Sequence, residues 1–157
     1  MDKKVRRYEI DRARIILERF EEEAVLVNVE SGYYYSVSSA GSEILELLEE
    51  GLAADDLALA LFGDSETLHR FQIRIAQFVE KLAVEGIVVE RDPASSAGPG
   101  FHKGWPLHPD GAGYEPPIFE RFDDVRDLLL IDPVHQVDPE HGWPKKRASA
   151  SSIETRA

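Results

Sequence analysis

The sequence predicts an α+β fold in which a three-stranded antiparallel sheet is followed by three helices, with a linker and a partly ordered C-terminal tail beyond them. Three observations predict it. Apolar residues alternate with period 2 through residues 24–37, the period changes to 3.6 after Val37, and from Asp92 onward Gly, Pro and Ser replace any period.

In Ala24 to Val29 (AVLVNV) the valines at 25, 27 and 29 alternate with Ala24, Leu26 and Asn28. The ESG that follows is a tight-turn signal, because Gly32 adopts positive φ without a Cβ clash, and YYYSV (Tyr33 to Val37) is the returning strand. Ile15 to Leu17 is a short β-branched run that pairs ahead of this hairpin. Ser38 and Ser39 offer caps to a first helix, AGSEILELLEEG, with Ile44, Leu47 and Leu48 on one face and Gly51 as its stop. Asp55 and Asp56 place negative charge at the start of a short second helix, LALALFG. Asp64 or Ser65 caps the third and longest, where Leu68, Phe71, Ile75, Phe78 and Leu82 recur at helical spacing before Gly86. IVVE (Ile87 to Glu90) supplies a small terminal strand. This order of elements is that of a winged-helix-like domain.

The expected organisation is a domain over residues 1–91, a linker over 92–113, a docking tail over 114–144 and a disordered C-terminus over 145–157. Of the formal net charge of −12, about −8 falls on residues 1–91 and −4 on the rest, so neither part is built to neutralise phosphates and no nucleic-acid partner is expected. The absence of cysteine rules out disulfides, thiolate metal sites and a cysteine nucleophile. No stretch approaches the roughly 18 apolar residues that span a bilayer, and no apolar signal region follows Met1, so a cytoplasmic protein without membrane contact is expected.

VLVNVESGYYYSVSSAGSEILELLEEG (25–51) and FVEKLAVEGIVV (78–89) together resemble the PqqD-like family, the small peptide-binding domains also called RiPP recognition elements. The sequence departs from the family at Ser38, where Asn is usual, and at Ala53 and Ala54, where Thr or Ser is more typical. The resemblance implies a protein that is not an enzyme, needs no cofactor, and binds the leader segment of a ribosomally made precursor peptide for a modifying enzyme. It implies that the leader adds as an extra strand beside the third strand, against the third helix. The residues expected to line that site are Tyr33, Tyr34, Tyr35 and Val37 on the strand and Arg70 and Arg74 on the helix. Sequence physics permits the same role, since a sheet edge is a row of unpaired backbone donors and acceptors, and tyrosines offer contact area at little rotamer cost. Tyr is also enriched in strands by β-propensity alone. A proline at Tyr35 is expected to weaken binding if that N–H faces outward.

The tail carries YEPPIFERFDDVRDLLLIDP. Tyr114, Pro117 and Phe119 form a Y-x-x-P-x-F arrangement that resembles the leader motif of lasso-peptide precursors, with Asp123 where that motif often has Gly. Ile118, Phe122, Val125 and Leu129 recur at 4, 3 and 4, so a brief amphipathic helix bounded by prolines is expected. Tyr114, Pro117, Phe119, Phe122, Val125 and Leu129 are the candidate docking residues, on this domain or on a separate enzyme. Asp132, His135, Asp138 and His141 stand three apart, but Pro133 and Pro139 prevent one ligating face, and no metal site is expected. Acidic pairs such as Asp55/Asp56 are explained by helix starts, so no catalytic residue is assigned. Two rivals to the recognition reading are a winged-helix DNA-binding regulator and a precursor peptide fused to its own recognition domain. The first is disfavoured because Arg70, Arg74 and Lys81 on helix three are balanced by Glu66, Glu80 and Glu85.

Overall fold

The computed structural model describes residues 4–92 and 104–123. In chain order the elements are β1 (Arg7–Ile10), β2 (Ile15–Arg19), β3 (Glu23–Asn28), β4 (Tyr34–Ser38), α1 (Ser39–Glu49), a 3-10 turn (Ala54–Asp56), α2 (Leu57–Phe62), α3 (Glu66–Val84), β5 (Val88–Arg91) and β6 (Phe119–Phe122). The α+β class and the order of helices follow the period changes in the sequence. The expected single three-stranded sheet is replaced by two antiparallel sheets, a pair β1-β5 and a four-stranded sheet in the order β2-β3-β4-β6.

β1 lies in a run that reads only as charged. Its Tyr8 and Ile10 point into the core while Glu9 faces solvent, an alternation too short to stand out among Lys4, Arg6 and Arg7. β5 pairs with β1 rather than with the hairpin. β1 also serves the next segment: the Ala54 N–H donates to the Arg6 carbonyl (2.9 Å) and the Arg7 guanidinium donates to the Gly51 carbonyl (2.6 Å). Backbone pairing with β1 thus meets a donor at the start of the 3-10 turn, where Ala53 gives no side-chain cap.

The β3-β4 hairpin turns through Gly32 at φ 76°. Asn28, buried at the end of β3, accepts from the N–H groups of Glu30 (3.0 Å) and Ser31 (3.1 Å), so the turn is held from within. On the inner face of the sheet, Ala24, Leu26, Tyr35 and Val37 meet α1 and α3 in one core, with Ile44, Leu45, Leu48, Leu57, Leu61, Phe62, Ile75, Phe78 and Leu82. Burying each large aliphatic side chain of this kind contributes about 1.5–3 kcal/mol. Gly41 sits where α1 meets this layer: a Cβ there would lie 2.4 Å from Val37 Cγ1 and 2.8 Å from Phe78 Cζ.

Residues 104–113, expected as linker, run against α2. The N–H groups of Leu107 and His108 donate to the carbonyls of Ala60 (3.1 Å) and Leu61 (2.6 Å), two of the acceptors a helix end leaves open. Residues 119–122 form a strand and not the start of the expected amphipathic helix. The i and i+3 spacing of Phe119 and Phe122 suits either structure locally, and the backbone edge of β4 decides between them. Val125, Leu129, the Asp132 to His141 group and residues 145–157 lie outside the described residues.

Candidate peptide-binding edge

β6 pairs antiparallel with β4 in the register Tyr34 to Phe122, Tyr35 to Arg121, Ser36 to Glu120 and Val37 to Phe119. One bond fixes which backbone groups of β4 serve this edge: the Ser38 N–H donates to the Ile118 carbonyl at 3.0 Å. Donors along a strand alternate sides, so the N–H groups of Ser36 and Tyr34 also face β6, while those of Tyr35 and Val37 face β3. The Asn28 N–H bond to the Tyr33 carbonyl (2.8 Å) agrees with this alternation. The Tyr35 N–H therefore points inward, and Ser36 is the residue whose N–H reports on the edge. Ser38 has a second part, since its Oγ accepts from the Ile118 N–H (2.9 Å) and, as the N-cap of α1, from the Gly41 N–H (3.4 Å).

The three adjacent tyrosines occupy three environments. Tyr35 is fully buried, and its ring stacks on Phe119 at 5.1 Å between centroids and 19° between planes. Phe78 of α3 presents its edge to the same Phe119 ring at 6.5 Å. Tyr34 faces the other side of the sheet and stacks on Phe122 at 5.0 Å. Tyr33 lies under the Arg121 guanidinium, 4.7 Å from its ring centroid.

Glu85, the C-cap of α3, joins this group electrostatically. It accepts from the Tyr35 hydroxyl (3.2 Å) and from Arg121 Nη1 (3.3 and 3.4 Å to its two oxygens). Burial, with the Glu85 charge second, pushes the Tyr35 phenol up to about 12. Val37 is buried opposite Phe119. Arg74 borders the groove between α3 and β6 with Gln77, Phe78, Lys81, Pro117 and Phe119. Arg70, one turn earlier and exposed, is outside that lining, so the structure does not bring all of the expected groove residues together.

A second anchor lies upstream on the tail. The Tyr114 ring meets Phe62 edge-on at 4.8 Å and Phe71 at 5.1 Å, and His108 closes the cluster at 5.2 Å. His108 Nε2 lies 2.8 Å from Glu43 Oε2. The Tyr114 hydroxyl is buried without a hydrogen-bond partner, and burial pushes its pKa upward. Glu85, Glu43 and His108 were not singled out from the sequence. Glu85 reads as a helix terminus and His108 as linker; the Arg121–Glu85 and His108–Glu43 contacts form only when the tail returns to the domain.

The arrangement is an aromatic floor with the Glu85 carboxylate beside a strand edge, and an extended segment lies on it. Residues 23–88 match the PqqD family, described as coenzyme PQQ synthesis protein D. No curated protein and no solved structure matches the chain. The PqqD match runs from the start of β3 to the start of β5 and so includes β4, α3 and Glu85, while β1, β2 and residues 104–123 fall outside it. The PqqD family is a peptide-recognition element of RiPP biosynthesis that works with modifying enzymes, and its members are non-catalytic. Among the described residues, no helix is long and apolar enough to cross a membrane.

Proposed function

We propose that this protein is a non-catalytic recognition protein that binds the leader of a ribosomally made precursor peptide by strand addition at β4 and presents it to a peptide-modifying enzyme. The observation that carries this reading is the four-pair antiparallel register between β4 and β6. An edge that accepts one extended segment has the backbone geometry to accept another, and backbone pairing supplies affinity while alternate side chains supply selectivity. The apolar floor of Tyr35, Phe78 and Val37 supports the second half of that division. Charge supports a peptide over a nucleic acid, since the chain carries a formal −12.

The test is calorimetric titration of precursor peptides encoded beside this gene into the full chain and into its Ser36→Pro variant. Binding by the full chain, lost by at least tenfold in a variant that keeps its circular dichroism, is the expected result. Equal binding by the two proteins removes strand addition at this edge. A duplex-DNA shift at physiological salt, with no peptide bound, replaces the reading by a regulator.

A further inference from the structure

β6 shows what this edge selects as well as that it can be filled. Strand alternation sends Phe119 and Arg121 toward α3 and sends Glu120 and Phe122 to the outer face. Phe119 takes the slot between the Tyr35 and Phe78 rings. Arg121 brings a cation to Glu85, a carboxylate that also holds the hydroxyl of buried Tyr35, and lies over the Tyr33 ring. Phe122 covers Tyr34. Glu120 is exposed, opposite Ser36. Upstream, Tyr114 fills the pocket made by Phe62, Phe71 and His108.

Resting on the proposed function above, we infer that residues 114–122 are a tethered stand-in for the ligand, and that the external peptide recognised here carries the same pattern. That pattern is an aromatic residue for the slot between Tyr35 and Phe78, a basic residue two positions on for Glu85, an aromatic residue next for Tyr34, and a tyrosine five positions before the first. The position between the first aromatic and the basic residue is free. Such a peptide has to displace β6, because both need the N–H groups of Tyr34, Ser36 and Ser38. The stand-in is suited to being displaced: its strand is four residues long, and Phe119 and Phe122 are only partly buried.

The probe is a fluorescent peptide of residues 114–122, YEPPIFERF, titrated by anisotropy into the wild-type chain and into the full chain carrying Glu120→Pro, which lacks a ladder donor on the tail strand and leaves the domain unaltered. The Glu120→Pro chain is expected to bind at least tenfold more tightly than wild type. Within the peptide, Phe119→Ala and Arg121→Glu are each expected to lose tenfold or more, and Glu120→Ala to change little. Binding of the Arg121→Glu peptide is expected to return when the receptor carries Glu85→Arg. A full chain cut at a protease site introduced near residue 97 and then diluted frees the edge without any substitution on it, and is expected to bind like Glu120→Pro.

If the opened edge binds YEPPIFERF and its substituted analogues equally, the stand-in inference falls while strand addition survives. If Glu120→Pro and the cut chain both expose the Ser36 and Ser38 amides to exchange yet bind no extended peptide, the recognition function itself falls. If neither treatment raises peptide affinity or amide exchange, β6 is a permanent part of the sheet and the inference is overturned.

Discussion

The ring of Phe119 lies nearly parallel to that of Tyr35, 19° apart and 5.1 Å between centroids, although 84 positions separate them in sequence. Tyr35 is fully buried with that ring in place, so the tail completes the cover of a core residue.

The first expected outcome follows from that pair. Phe119→Ala removes a stacked partner worth about 0.5–1.5 kcal/mol beyond its buried area, and it removes it from a strand held at one edge only. Amides of Ser36 and Ser38 should exchange faster by about tenfold, while Leu26 and Ile75 in the core keep their protection. Hydrogen exchange resolved by residue checks this, and a uniform loss of protection would show that the tail and the core unfold as one unit.

Proline distinguishes the two sides of β4. Ser36→Pro deletes a donor aimed at β6 and leaves the β3 pairing intact, so the domain should stay folded with little change in its urea midpoint. Tyr35→Pro deletes a donor aimed at β3 inside the sheet and should lower the urea midpoint of the whole domain well below that of Ser36→Pro. Urea unfolding of both variants is the measurement, and equal midpoints would contradict the assigned ladder alternation.

Alkaline pH provides a third test. The Tyr35 phenol is raised to about 12 in the fold against an ordinary value near 10, by burial first and by the Glu85 charge second. A group raised in the folded state gives stability that is complete below pH about 10 and is lost as pH climbs through about 12. Urea midpoints should therefore fall between about pH 10 and pH 12 in the wild type, and Tyr35→Phe should flatten part of that fall. The same substitution costs the hydroxyl bond to Glu85 at neutral pH, about 1 kcal/mol.

Gly41→Ala tests the contact of α1 with the groove floor. Its Cβ would meet Val37 Cγ1 at 2.4 Å and Phe78 Cζ at 2.8 Å, so both side chains must move. Overpacking of this kind costs about 1–3 kcal/mol. Because Phe78 borders the Phe119 slot, the variant should lose affinity for YEPPIFERF as well as stability, read by urea midpoint and anisotropy. Unchanged binding with lost stability would separate the floor from the core.

The parts of the fold that were legible in the sequence are those whose period is long enough to show against charge. β3 and β4 alternate across a glycine turn, and α3 carries five apolar residues at helical spacing. β1 was hidden because four residues with two inward side chains, set among arginines, give no periodic signal. β6 is hidden for a different reason. Ile118, Phe122, Val125 and Leu129 have helical spacing, yet residues 119–122 pair with an edge about eighty positions away, and no local pattern encodes that partner. The tyrosine cluster was legible as residue type only. That Tyr35 is buried, that Tyr34 faces outward and that Glu85 joins them depends on strand register and on where α3 ends.

β6 has one more consequence, for the behaviour of many copies in a crowded solution. A strand edge flanked by adjacent tyrosines is a template for any extended chain, including the same chain from a neighbouring molecule, and such edges are starting points for runaway stacking. With β6 seated, the donors of Tyr34, Ser36 and Ser38 are consumed within the molecule. The edge left on that side is then β6, four residues long with exposed Glu120 and Arg121, a far poorer template than the tyrosine-flanked β4.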